Sequence, residues 1–296
     1  MAWIADAKLA AAVSNAGGLG IISAMNANAD YLKAQIATAR LLTDRPFGVN
    51  LMLMSPFADD AAEVIRSEKV DVVTTGAGIP TPYLSAWKAA GIKVIPVIAS
   101  VQSARLMEKI GADAVIAEGS ESGGHIGEST TMTLLPQVCD AVKIPVLAAG
   151  GIADGRGLAA CLLLGAAGIQ MGTRFLLAEE CEVHPVYKEM IRTANDISTV
   201  ATGRRFHGTT CRCLKNPFSR SYLKLEYTAD TTADLLSQLS SGALRKAALD
   251  GDSVNGCFMA GQIAGMVCKE SSAAEILQEI ITEAAILLKG ANQWVN

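Results

Sequence analysis

The chain predicts an α/β fold, a TIM-type (β/α)8 barrel whose first strand is absent from the sequence, joined to a small, mainly helical cap domain. Three observations predict it. Between residues 18 and 173, seven short apolar runs alternate with segments of helical period, as repeated βα units feeding a parallel sheet require. Two glycine loops, Ala149-Gly150-Gly151-Ile152 and Gly172-Thr173, follow the runs that count as strands 7 and 8 of a barrel, where exposed backbone N–H groups and a helix N-terminus commonly hold a phosphate. The open doubly wound sheet, the alternative, needs a nucleotide fingerprint, and Gly76-Ala-Gly78 is followed by Ile-Pro instead of a third glycine and a helix.

The strand runs are 19–22, 47–52, 70–74, 93–97, 114–117, 145–148 and 168–171. Helical periodicity fills 6–16, 28–42, 57–68, 82–90, 101–110, 132–142 and 156–164, and Gly91, Gly111 and Gly165 stand where helix C-caps belong. After Phe175 the alternation stops. Residues 1–180 are therefore the barrel, with strands 2–8, and residues 181–255, richer in polar groups and without clear strands, form the helical cap or substrate domain. Residues 256–296 return to the barrel, with a helix from Ser272 to about residue 289 that closes it. Ser272 and Glu275 give that helix a capping box.

Composition narrows the function. The 296 residues suffice for a large core, and although 50% are hydrophobic, no apolar run is long enough to span a bilayer. The start lacks a basic segment followed by an apolar stretch and a cleavage site, so a cytoplasmic location without membrane attachment is expected. A net charge of −4 argues against nucleic-acid partners. The seven scattered cysteines read as buried thiols; Cys211-Arg-Cys213 has the wrong spacing for a metal pair, and no metal site is expected.

The loop after the fifth run, residues 118–131, is rich in glycine and carries His125 between Gly124 and Gly127. Flanking glycines supply no packing wall, and an imidazole titrates near neutrality, so His125 is the candidate catalytic residue; a loop-ordering role is the alternative. His184 and His207 read as structural or peripheral. Glu118 and Glu121 are three apart in a loop that does not face them together, which leaves Glu118 as a ring or loop ligand and Glu121 solvated. Within 203–224 lie Arg204, Arg205, Arg212, Lys215, Arg220 and Lys224 with no acidic residue, a basic patch that would steer an acidic partner, accept nucleotide phosphates or form a solvated surface.

Gly17-Gly-Leu-Gly-Ile-Ile22, Pro46-Phe-Gly-Val-Asn50, Thr74-Thr-Gly-Ala-Gly78, Ile116-Ala-Glu-Gly119, Gly123-Gly-His-Ile-Gly127, Ala148-Ala-Gly-Gly-Ile-Ala-Asp154, Gln170-Met-Gly-Thr-Arg-Phe175 and Met259-Ala-Gly-Gln-Ile-Ala-Gly265 run through the chain in order. With these motifs the sequence resembles the flavin-dependent enoyl-acyl-carrier-protein reductase II (FabK type), within the nitronate monooxygenase (2-nitropropane dioxygenase-like) family of FMN barrels. The resemblance implies FMN, its phosphate held by Gly150, Gly151, Gly172 and Thr173, its ring lined by Asn50, Glu118, Gly123, Gly124 and the turn of Met259, Gly261 and Gln262. Asn50 as a strand-end cap and Gln262 as a surface residue are the alternatives. The resemblance further implies NADH as reductant, with NADPH as the alternative, a trans-2-enoyl thioester on acyl carrier protein as substrate, a monovalent cation as a further cofactor, and a homodimer. A nitronate monooxygenase or quinone reductase of the same fold is the runner-up, and a non-catalytic flavin-binding remnant the reading from another class. The family opens with a strand and a Gln-Gly-Gly-Met loop before Ala-Trp, whereas this sequence begins at Met1-Ala-Trp3, so one further strand is expected upstream.

Overall fold

The computed structural model describes residues 1–24, 28–206 and 210–291. His207 lies outside the described residues. In the first 170 residues the chain alternates helix and strand as α1 (Ala7–Asn15), β1 (Gly20–Ser23), α2 (Ala29–Leu42), β2 (Phe47–Met52), α3 (Ala58–Ser67), β3 (Val72–Gly76), α4 (Thr81–Ala89), β4 (Lys93–Ile98), α5 (Val101–Ile110), β5 (Val115–Glu118), β6 (Gly124–His125), α6 (Thr131–Ala141), β7 (Val146–Ala149), α7 (Gly155–Leu163) and β8 (Gly168–Gln170). Every sequence-read strand and helix of the barrel has its counterpart, shifted by at most two residues at a boundary, except β6. The helix ends follow local chemistry: Ser100 accepts from the Ser103 N–H to start α5, and Gly111, at φ +98°, ends it.

Seven parallel strands pair in the order β1-β2-β3-β4-β5-β7-β8 as a curled sheet of the TIM-barrel type. Their register sets Ser23, Asn50 and Thr74 side by side, and Glu118, Ala149 and Gln170 likewise, all on one face of the sheet. The opposite face carries Ile22, Val49, Leu51, Val73, Val115, Ala117, Val146 and Ala148, buried in the apolar clusters that the helices complete. The polar face is therefore the inner, concave one.

Beyond β8 the chain forms a short 3-10 turn at Thr173–Leu177, then α8 (Pro185–Arg192), β9 (Thr199–Thr202), β10 (Cys211–Leu214), α9 (Pro217–Glu226), α10 (Ala233–Ser240), α11 (Ala243–Arg245) and, after a second 3-10 turn at Gln262–Met266, α12 (Ala273–Gly290). Ser272 and Glu275 form the expected capping box, and α12 packs against both α1 and α7, joining the first βα unit to the last. Glu283 on α12 accepts from the Gly155 N–H at 2.7 Å, so the closing helix also caps α7.

The cap differs from expectation in one respect. It is mainly helical, but it also carries β9 and β10, and these build an antiparallel sheet in the order β6-β10-β9 with the two-residue strand from the barrel loop. The cap core gathers Cys213, Phe218, Tyr222, Leu236, Ala243 and Cys257. Contact with Cys257 and burial push the Cys213 thiol far up, and contact with Cys211 and burial do the same for Cys257, so both stay protonated and inert. Burial holds Cys161 and Cys181 at about 11. Among the described residues no group of histidines, cysteines and carboxylates is arranged to hold a metal, and no helix is long and apolar enough to cross a membrane.

Candidate active site

The inner polar face ends at the C-terminal edge of the sheet, where β2, β3 and β5 present Asn50, Thr74 and Glu118. The Thr74 hydroxyl donates to Asn50 Oδ1 at 2.8 Å, which fixes the amide and leaves its N–H donors for a ligand. Burial raises Glu118 from an ordinary 4.5 to about 7, against the opposing pull of the Ser122 side chain and the Met1 amino group. A carboxyl near half-protonation at neutral pH is available to give or take a proton. Its stability linkage has a definite sign: the raised value means that stability is full below about 4.5 and is lost as pH rises to about 7. Replacing Glu118 by Gln should therefore raise the melting temperature relative to wild type at pH 8 and change it little at pH 4.5, with roughly 3 kcal/mol as the upper bound from 1.36 kcal/mol per pKa unit.

Four loops distant in sequence meet above this edge. The Glu121 carbonyl accepts from the Gln262 N–H at 2.8 Å, and Thr173 Oγ1 accepts from the Gly261 N–H at 2.9 Å. A Cβ on Gly123 would stand 2.7 Å from the Gly261 nitrogen, and one on Gly261 would stand 2.7 Å from the Glu121 carbonyl oxygen, so two backbones touch with no side chain between them. Gly150 and Gly151, at φ +88° and +75°, form the left-handed turn after β7, and Thr131 Oγ1 donates to the Gly150 carbonyl at 2.9 Å. Gly172 opens the 3-10 turn, its carbonyl accepting from the Phe175 N–H. The structure thus draws Glu118, Gly123, Gly124, Gly150, Gly151, Thr173, Met259, Gly261 and Gln262 into one neighbourhood, with Asn50 on the same concave face. The Gln262 side chain is exposed; its backbone makes the contact.

Glu121 is not the solvated group that its loop position suggested. Its carboxylate accepts from the Thr131 N–H at 3.0 and 2.9 Å, capping α6 with a negative charge at the positive end of the helix.

His125 lies in β6, paired with Cys211, and the next N–H, of Ile126, donates to the Thr210 carbonyl. Its side chain is exposed at one side, and partial desolvation by the surrounding protein lowers its pKa. The ring is thus neutral at pH 7, with one N–H to donate. His184 has a structural role: its Nδ1 accepts from the Val186 N–H and caps α8.

The basic segment does not form one surface. Arg212 is buried, its Nε and Nη2 donating to the Ser120 carbonyl at 3.1 and 3.0 Å and its Nη1 to Thr199 Oγ1. Arg205 donates to the carbonyls of Glu226 and Thr228, while the buried Glu226 carboxylate accepts from the Gly203 and Arg205 N–H groups. Arg204, Lys215, Arg220 and Lys224 remain exposed, and Arg220 also donates to the Asn216 carbonyl.

Two supporting residues escaped the sequence reading. Tyr187 on α8, fully buried against Phe258, donates its hydroxyl to the Met259 carbonyl at 2.7 Å and so fixes the 259–262 turn. Thr131, in a polar helix start, ties Glu121 to Gly150. An aromatic at a helical spacing and a threonine after a serine-threonine run carried no signal of either role.

Glycine loops packed backbone to backbone at the C-terminal edge of a parallel barrel, with a neutral imidazole and a half-protonated carboxyl nearby, are an arrangement suited to the flavin-dependent barrel oxidoreductases. The family model described as nitronate monooxygenase matches residues 1–67 and 61–283, and the chain belongs to the nitronate monooxygenase family. It is 48% identical to FabK from Thermotoga maritima, with a TM-score of 0.96 over 99% of this chain and 93% of that one. The nitroalkane oxidase of Streptomyces ansochromogenes is 31% identical, with a TM-score of 0.87 over 98% and 95%. A Mycobacterium tuberculosis protein, (3aS,4S,5R,7aS)-5-hydroxy-7a-methyl-1-oxo-octahydro-1H-indene-4-carboxyl-CoA dehydrogenase, is 35% identical over 100% of this chain and 94% of its own length.

Proposed function

We propose that the chain is an FMN-dependent reductase that uses NADH to reduce trans-2-enoyl thioesters carried by acyl carrier protein. The observation that carries this reading is the convergence of the glycine loops at Gly123, Gly150, Gly151 and Gly261 with Thr173 at the C-terminal edge of the sheet, on the same loop that carries His125. Such loops fit FMN: Gly150, Gly151, Gly172 and Thr173 would hold the phosphate through backbone N–H groups and a hydroxyl, and Asn50, Glu118, Gly123, Gly124 and the 259–262 turn would border the ring. Bound FMN supplies hydride transfer from the nicotinamide to the β-carbon of the enoyl group. The chain's own part is position and protons. Neutral His125 donates its N–H to the thioester carbonyl as negative charge develops there, and assists the arrival of a proton at the α-carbon. Acyl carrier protein would meet the cap at Arg204, Lys215, Arg220 and Lys224, exposed members of the basic segment.

The carboxyl-CoA substrate in the name of the mycobacterial relative supports a thioester as the substrate class. The likeness to a nitroalkane oxidase favours nitronate oxidation as the second reading. Specificity constants decide between them. With NADH and crotonyl-CoA in the absence of oxygen, rapid NADH consumption is expected, and alkyl nitronates in air should give little oxygen uptake. A ratio of kcat/KM values favouring the nitronate would overturn the assignment.

A further inference from the structure

The proposed scheme gives no part to Arg212. Arg212 projects from β10 of the cap and is 7% exposed, and no carboxylate among the described residues forms an ion pair with it. Burial and the Arg204 charge lower its pKa against the pull of the nearby Glu121 carboxylate, and its own hydrogen bonds all go to neutral oxygens. Its hydrogen bonds are directed at the active-site loop. Two N–H groups converge on a single acceptor, the carbonyl of Ser120, two residues after Glu118. In the strand ladder Arg212 is also the partner of Gly124, and its neighbour Cys211 is the partner of His125. One cap strand therefore grips the loop at its start through a side chain and at its end through the backbone. Gly119, Gly123 and Gly124 contribute no side chains of their own, so the loop takes its shape from such anchors, among which are also the Glu121 carboxylate on Thr131 and the Glu121 carbonyl on the Gln262 N–H.

We propose that Arg212 is a positioning residue, which holds the Ser120 carbonyl and thereby sets the place from which His125 meets the acyl substrate. This rests on the reading of His125 as the substrate-side group. Lysine keeps the charge but cannot direct two N–H groups from a planar fork onto one carbonyl, so Arg212→Lys separates geometry from charge. Misplacement of a reacting group by about 1 Å costs ~10²-fold. Stopped-flow measurements on the flavin-loaded enzyme should show reduction by NADH at the wild-type rate in Arg212→Lys. Reoxidation of the reduced enzyme by crotonyl-CoA should fall about 10- to 100-fold. Arg212→Ala should behave likewise, with free guanidinium restoring part of the reoxidation rate. Thr199→Val, which removes only the weakest anchor, supplies a milder variant that should show a smaller fall of the same kind if either substitution at Arg212 prevents folding.

Wild-type reoxidation in Arg212→Lys, or an equal loss in both half-reactions, would overturn the positioning role, since a merely structural residue spares neither half-reaction. His125→Ala run alongside separates the two failures. If it slows reoxidation while Arg212→Lys does not, only the role of Arg212 falls; if it leaves reoxidation unchanged, the substrate-side reading falls and takes this inference with it.

Discussion

Replacing His125 by alanine is expected to leave FMN bound and reducible by NADH, while reoxidation by crotonyl-CoA falls ~10²–10⁴-fold, the usual contribution of a positioned acid–base group. The cause is local. The side chain is exposed and belongs to no core cluster, so its removal leaves β6 paired to β10 through backbone hydrogen bonds. Its pKa is lowered by burial, so the ring gains a proton only when pH falls below the ordinary histidine range, and the acid limb of the wild-type rate profile should lie there. The variant should lack that limb. Unchanged turnover with an unchanged profile would reassign His125 to ordering the loop.

Gly151→Leu should give a colourless protein that still folds. At φ +75° a leucine is strained by about 1–2 kcal/mol, and its Cβ would lie 3.5 Å from the Glu121 carboxylate, an ordinary contact. The fold therefore tolerates it, while the phosphate's approach to the backbone does not. Each charge-assisted hydrogen bond lost removes about 1.5–3 kcal/mol, roughly 10- to 100-fold in FMN affinity. Gly150→Ala makes the contrast: there a Cβ would stand 2.8 Å from the Gly119 carbonyl oxygen, and thermal stability should fall along with flavin content. Visible absorbance per protein and the melting temperature together distinguish the two. Full flavin in Gly151→Leu would show that the phosphate lies elsewhere.

Much of this architecture is legible in the residues themselves. Strands such as Phe47–Met52 and Lys93–Ile98 are long enough, and bounded sharply enough by proline, glycine and caps, for period alone to place them within two residues. The cap strands were not legible because Thr199–Thr202 and Cys211–Leu214 have four residues each, and one of them carries an arginine at its centre. Their pairing partner has two residues and lies 86 positions before Cys211, in a loop. Tertiary context makes these strands. The glycine and histidine motifs pointed to the candidate site, but they carried no information about support. By charge alone the buried Arg212 does not differ from the exposed Arg205, Lys215 and Lys224, because a charge run does not say which member points inward. Nor does a loop glutamate announce itself as a cap; Glu121 becomes one only because Thr131 starts α6 within its reach. An arginine flanked by Cys211, Cys213 and Leu214 was the one available hint, since a charge amid apolar neighbours at strand period is unusual on a solvated surface.

The small sheet that joins β6 to β10 also bears on how the molecule is made. A ribosome delivers the chain from its N-terminus, so the βα units can pair as they emerge, each strand beside the one before it. The segment at Gly124–His125 is different, because its ladder partner is not synthesised until Cys211 and Arg212 leave the tunnel. Until then the Gly124–His125 segment lacks its ladder partner, and its backbone edge is left unpaired. The shape of the 118–131 loop is thereby deferred to a late, long-range closure step, and the cap serves as the internal partner that completes it.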